Sequence, residues 1–151
     1  MIKTATNAAA RRAIAPKKLR PPLFVGDGGK TPTVIADGGG RVTLPFPPSA
    51  NRYWRSARGR VYVSEEAKAY KASIRNHYGL RKLTPTARPI KLTIDYYRPR
   101  KSGDLDNRIK ILGDALQGVI FVNDAQIVDI HARQFDDKTN PRVELFWEEI
   151  E

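Results

Sequence analysis

Residues 90 to 135 constrain the fold more than any other stretch. Ile90, Leu92, Ile94 and Tyr96 alternate with Lys91, Thr93, Asp95 and Tyr97, the period of a half-buried strand. That strand runs straight into RPRKSGDLDN. Ile109, Leu112, Ala115 and Leu116 then recur at the spacing of one helix face, and Gly118 is a stop signal. The apolar run Val119 to Val122 reads as a short strand, Asn123-Asp124 as a tight turn, and Ile127 to Phe135 as another strand.

The flanks follow the same logic. Val42, Leu44 and Phe46 alternate in a strand that Pro47 and Pro48 end. Ser64 is a helix N-cap with Glu65 and Glu66 in the first turn. Ala67, Tyr70, Ile74 and Tyr78 mark its apolar face, and Gly79 suits its C-terminal cap. Val143, Leu145 and Trp147 alternate in a last strand, expected to pair with Ile127–Phe135 as a hairpin. These elements predict an α+β fold, a single domain with a mixed β-sheet packed against two main helices.

Residues 1–40 differ from the rest. They carry seven Lys or Arg against Asp27 and Asp37, five of the eleven net positive charges, with GDGGKTP and ADGGGR reading as flexible loops. One reading is a disordered, solvated tail; the other is a basic arm that adds sequence-independent phosphate contacts. The folded domain is expected over 41–151.

Charge narrows the partner. A net charge of +11 and a pI near 10.1 favour a polyanion over a small neutral substrate. No run approaches the roughly 18 apolar residues of a membrane span, and no basic amphipathic helix with a wide apolar face points to a membrane surface. The absence of cysteine excludes disulfides and thiolate chemistry, and is compatible with the cytoplasm.

Against that basic background a few carboxylates stand out. Asp104 and Asp106 lie one residue apart after Arg98, Arg100 and Lys101, and Asp124 follows a helix and a short strand later. Extended residues i and i+2 point the same way, so Asp104 and Asp106 are expected to face one point. The intervening connection can return Asp124 beside them. Magnesium prefers carboxylate oxygens and keeps several waters, so two or three aspartates suffice. Acids on a basic protein suit metal-dependent phosphodiester cleavage, because the cation offsets their repulsion of the phosphate. Lys110, one turn after Asp106, either forms an i,i+4 ion pair with it or contacts the scissile phosphate. Asp114, Asp129 and His131 read as structural. Arg52, Arg55, Arg58, Arg60 and Lys101 are candidate DNA contacts. The alternative for the 52–62 run is a surface loop whose Tyr53 and Trp54 pack in the core.

Three passages carry a resemblance. LPFPPSANRYWR (44–55), GRVYVSEEAKAY (59–70) and GDLDNRIKILGDALQGVIFVNDAQIVD (103–129) resemble the RusA family of Holliday-junction resolvases of bacteria and their phages. The resemblance runs from about Leu44 to Trp147. It implies a magnesium-dependent endonuclease, with manganese as the alternative ion, acting on four-way junctions as a homodimer that nicks opposite strands. It also implies that Asp104, Asp106 and Asp124 are metal-binding catalytic acids and that Lys110 is a catalytic or DNA-contacting lysine. Two other readings stay open at this point: a branched-DNA-binding protein that does not cut, and a nuclease for flaps or other nucleic acids. Asn123 stands where the family often has Asp, Arg108 where it usually has an apolar residue, and residues 1–40 match nothing in it.

Overall fold

The computed structural model describes residues 33–35, 38–77 and 80–151. In chain order the elements are β1 (Thr33–Ile35), β2 (Gly39–Pro45), α1 (Ala50–Tyr53), β3 (Trp54–Ala57), β4 (Arg60–Val63), α2 (Glu65–Arg75), β5 (Ile90–Arg98), α3 (Leu105–Leu116), a 3-10 turn (Asp124–Gln126), β6 (Ile127–Asp136) and β7 (Arg142–Glu149). Among the described residues, five strands make one mixed sheet in the order β1-β2-β7-β5-β6. β5 and β6 run parallel and the other neighbours antiparallel. β3 and β4 pair separately as a hairpin. The expected α+β arrangement is present.

One face of the sheet makes the core. Ile90, Leu92, Ile94 and Tyr96 of β5 share that face with Val42 and Leu44 of β2 and with Val143, Leu145 and Trp147 of β7, and all are buried. They pack with Ala67, Tyr70 and Ile74 of α2 and with Ile111, Leu112, Ala115 and Leu116 of α3. Each Val, Leu or Ile side chain among them contributes about 1.5–3 kcal/mol by leaving water.

The opposite face of β5 and β7 carries charge, and it is paired. Arg133 donates to both carboxylate oxygens of buried Asp95, at 2.7 and 2.6 Å. Buried Glu144 accepts from Arg142 Nε at 2.9 Å and from the Tyr97 hydroxyl at 3.4 Å. Without those partners each buried carboxylate would cost several kcal/mol.

The strand-helix-strand unit 90–136 is a parallel crossover, and it overturns the expected β6–β7 hairpin. β6 lies beside β5, while β7 takes the other side of β5. The link between β6 and β7 steps over the end of β5, where Asp137 N donates to Arg98 O at 2.9 Å. The run Val119–Val122 is not a strand. Val119, Ile120 and Phe121 are all buried rather than alternating, and the backbone curls onto the end of α3, with Val119 N and Ile120 N both donating to Leu116 O. α2 has the expected cap, Ala67 N donating to Ser64 Oγ at 3.2 Å, but it ends at Arg75 with Asn76 as C-cap. Tyr78 and Gly79, the expected end, lie outside the described residues.

Two strands of the sheet begin before residue 41. Residues 1–32, 36 and 37, most of the expected arm, lie outside the described residues. Thr33–Ile35 is the edge strand β1, and Gly39 and Gly40 open β2 rather than a loop. Gly40 pairs with Trp147, whose ring occupies the space that a Cβ would need.

Candidate active site

The end of β5 delivers the chain to the N-terminus of α3. Arg98 closes the strand by donating Nε to Asp136 Oδ1 at 2.6 Å and Nη1 to Gln134 Oε1 at 2.9 Å. The Arg98 hydrogen bond, helped by Lys101 at 3.7 Å, holds the Asp136 carboxyl below the usual carboxylate range. Asp104 is the N-cap residue of α3, with extended backbone, yet its side chain makes no capping hydrogen bond. Asp106 lies in the first helical turn. Both carboxylates are exposed at the positive end of the helix dipole. The two acids are therefore neighbours across a helix start, Asp104 on extended backbone and Asp106 inside the first turn. Lys110 sits one turn on, exposed, and makes no ion pair with Asp106 among the described residues.

The loop before Asp104 is held by a residue that sequence reasoning treated only as a departure. Arg108 is 7% exposed; its Nη2 donates to Ser102 O at 2.6 Å and its guanidinium lies 4.6 Å from the centre of the Phe46 ring. Burial pulls this guanidinium below the usual arginine range, while the nearby Asp104 charge acts the other way. Gly103 has φ +83°, and a Cβ there would stand 2.5 Å from Arg108 Nη2. Arg108 thus fills the place of a side chain at 103 and clamps the loop that presents Asp104.

Asp124 is held as firmly, elsewhere. It opens the 3-10 turn, where Asn123 Oδ1 accepts from Ala125 N at 2.8 Å and Asn123 N donates to Gln126 Oε1 at 2.7 Å. Gln126 Nε2 donates in turn to Thr86 O at 2.9 Å and Arg88 O at 2.8 Å. Asn123 is thus the capping residue that shapes the turn, through an oxygen acceptor that an aspartate would equally supply. The signal was present in the sequence: Asn followed three residues later by Gln is a capping box.

One chain does not bring the three acids together. Asp104 follows the end of β5 at Arg98, whereas Asp124 precedes Ile127, which pairs with Ile90 at the start of β5. The nine residues of β5 span about 30 Å and the twelve of α3 about 18 Å. Among the described residues no three His, Cys, Asp or Glu side chains form a group able to hold a metal ion. The donor chemistry of Asp104 and Asp106 suits a hard cation that keeps its waters; the third acid is at the other end of the unit. Asp114, Asp129 and His131 do not join either end. Asp114 accepts from the Tyr53 hydroxyl at 3.1 Å, Asp129 sits 3.8 Å from Lys91, and His131 is exposed on β6.

Basic side chains line a cleft beside the loop that leads to Asp104. This cleft of about 470 Å³ opens between residues 46–52 and the 99–103 loop, lined by Phe46, Arg52, Glu66, Arg100, Gly103 and Arg108. Arg52 keeps a long 4.0 Å contact with Glu66. Arg55, Arg58 and Arg60 are exposed on the β3–β4 hairpin, and Lys101 is exposed beside Asp136. Of the two aromatics in doubt, Tyr53 is buried and Trp54 is 49% exposed.

A family profile described as endodeoxyribonuclease RusA matches residues 45–146. The chain is 39% identical over 107 residues to the crossover junction endodeoxyribonuclease RusA of Escherichia coli strain K12, covering 69% of this chain and 89% of that protein. The crossover junction endodeoxyribonuclease of Enterobacteria phage 82 gives the same figures, and that of Shigella sonnei strain Ss046 is 38% identical over the same length.

Proposed function

This chain belongs to the RusA family of endodeoxyribonucleases, and we propose that it resolves four-way DNA junctions by paired, magnesium-dependent nicking in recombination and repair. It is an endonuclease acting on DNA. The observation that carries the reading is the extent of the match. It spans the whole unit from β5 to β6, with Asp104, Asp106, Lys110 and Asp124 inside it.

In this reading Asp104 and Asp106 hold the divalent ion, magnesium or manganese in its place, and the ion supplies Lewis acidity and an activated water. Lys110 faces the same end and stabilises charge on the cleaved phosphate. Arg52, Arg55, Arg58, Arg60 and Lys101 carry phosphate contacts. The protein works on DNA in the cytoplasm.

The third acid comes from Asp124 of the partner subunit. Among the described residues β6 is a sheet edge, and Val128 and Ile130 on it are 60% and 41% exposed. Antiparallel pairing of two such edges about a twofold axis sets the start of one β6 against the end of the other. That brings Asp124 of the partner subunit toward the N-terminus of α3. Two equivalent sites related by a twofold suit a substrate with pseudo-twofold symmetry.

The test is cleavage of a labelled four-way junction beside linear duplex and a Y-fork, with and without magnesium. Metal-dependent, symmetric nicks in the junction alone are expected. Tight junction binding with no cutting in any divalent metal would replace the reading with a binding protein. Preferred cutting of the fork would replace it with a flap-type nuclease.

A further inference from the structure

The β3–β4 hairpin stands outside the main sheet. A lone two-stranded hairpin is marginally stable, so apolar groups on it need a reason. Among the described residues six large hydrophobic side chains are exposed, and three of them are here: Trp54 at 49%, Val61 at 70% and Tyr62 at 46%. The hairpin is nevertheless well rooted. Its base is buried Tyr53, whose hydroxyl donates to Asp114 and whose carbonyl accepts from Ser64 N at 2.8 Å. Trp54 rests edge-on against the Tyr53 ring at 5.1 Å. Its tip is the two-residue turn Arg58-Gly59, with φ +51° and +71°.

The register divides it into two unlike faces. Trp54 opposes Val63 and Ser56 opposes Val61, giving one apolar face; Arg55 opposes Tyr62 and Ala57 opposes Arg60, giving a basic, aromatic one. From Arg52 to Ser64 the chain holds four arginines, Arg52 included, and no acid. Arg52 at the root lines the same cleft as Gly103, next to Asp104. The root of the hairpin therefore borders the cleft of the acid-bearing loop, and its four-residue strands are about 13 Å long.

We infer that this hairpin is the element that tells a DNA branch point from continuous duplex. Its Trp54–Val61 face covers the open flat face of a base pair at the branch, and its Arg55, Tyr62 and Arg60 face follows the phosphates of the adjoining arm. In continuous duplex every base face is already stacked, and exposing one costs a few kcal/mol per step. At a branch the stack is interrupted, so the apolar face finds a surface at lower cost. The occupant is nucleic acid because every charged side chain of the hairpin is an arginine, Arg55 and Arg60 on the other face and Arg58 at the tip. The inference rests on the four-way-junction reading above.

The test compares Trp54→Ala/Val61→Ser and Arg58→Ala/Arg60→Ala with wild type, titrating a four-way junction and a linear duplex built from the same arms. A junction with 2-aminopurine at the branch reports stacking directly. Trp54→Ala/Val61→Ser is expected to lose roughly 10–100-fold on the junction and little on duplex, and to lose the wild-type quench of 2-aminopurine. Arg58→Ala/Arg60→Ala is expected to weaken both DNAs alike, with a shallower salt dependence. Equal loss on both DNAs from the apolar pair, or no loss, overturns the inference. Val61→Ser alone changes only an exposed side chain and repeats the test if the double variant misfolds. A wild-type protein with no junction preference would instead overturn the substrate reading.

Discussion

Asp106 and Asp124 stand at opposite ends of one crossover: Asp106 in the first turn of α3, Asp124 in the 3-10 turn that leads into β6 beside the start of β5. Two ends of one rigid unit cannot meet, so a site using both draws them from different copies of the chain. Co-expressing Asp106→Asn and Asp124→Asn chains discriminates the arrangements. In a mixed dimer with shared sites, one site pairs an intact Asp106 with an intact Asp124. With half of the dimers mixed and one live site in each, nicking should recover to roughly a quarter of wild type, as single nicks. If each site lay within one chain, every site would carry a lesion and the mixture would stay inactive.

Each acid alone should separate chemistry from binding. If Asp106 holds the ion as proposed, Asp106→Asn removes a metal oxygen and leaves the basic surface intact, so single-turnover cleavage should vanish while junction affinity stays within a few-fold. Lys110→Met should lower the cleavage rate by roughly 10²–10³ with little change in affinity, the effect of losing a charge donor used in the transition state. Equal losses in affinity and rate would make Lys110 a binding residue. Cleavage by Asp106→Asn at the wild-type rate would remove it from the site.

Arg108 and Gly103 should behave as one device. Gly103→Ala forces a side chain into left-handed backbone and against Arg108 Nη2, and should cost about 1–3 kcal/mol in denaturant unfolding. Arg108→Leu frees that space but removes the hydrogen bond to Ser102 O, so cleavage should fall more than stability. In the double variant the stability loss should be smaller than the sum of the singles, since the clash is gone. Strict additivity would show that the two positions are not coupled.

The elements that the sequence made legible are those with a clean period. β5 and most of the apolar faces of α2 and α3 read correctly because burial on one face leaves a repeat of two or near four; on α3 the buried face takes in Ile111 and Arg108 and leaves Ile109 half-buried. The run 119–122 misled because a wholly apolar stretch has no period, and Phe121 is buried as a plug at the end of α3. The pairing of β6 was misjudged because sequence adjacency suggests a hairpin, while the parallel crossover that places β6 beside β5 is a long-range property. The β3–β4 hairpin was missed since its residues are exposed on both faces, leaving only the glycine of the Arg58-Gly59 turn as a cue. At the candidate site the residue types were legible and the distance between them was not. Which end of a crossover an acid occupies depends on strand direction, which no local spacing encodes.

The N-terminal segment gives a last prediction, with two cut points that should differ. Deleting residues 1–32 removes seven Lys or Arg and one acid, Asp27, without touching β1. If the segment binds phosphates, log K against log salt should flatten by about 0.9 for each phosphate no longer neutralised, at unchanged Tm and unchanged single-turnover rate. An unaltered slope would leave it a solvated tail. Deleting 1–40 also removes β1 and the Gly40 pairing with Trp147, uncovering an indole that is 4% exposed. That shorter chain should lose several degrees of Tm, about 1–3 kcal/mol for a protein of this size, with red-shifted tryptophan emission. Equal Tm for both truncations would return the start of the folded unit to residue 41.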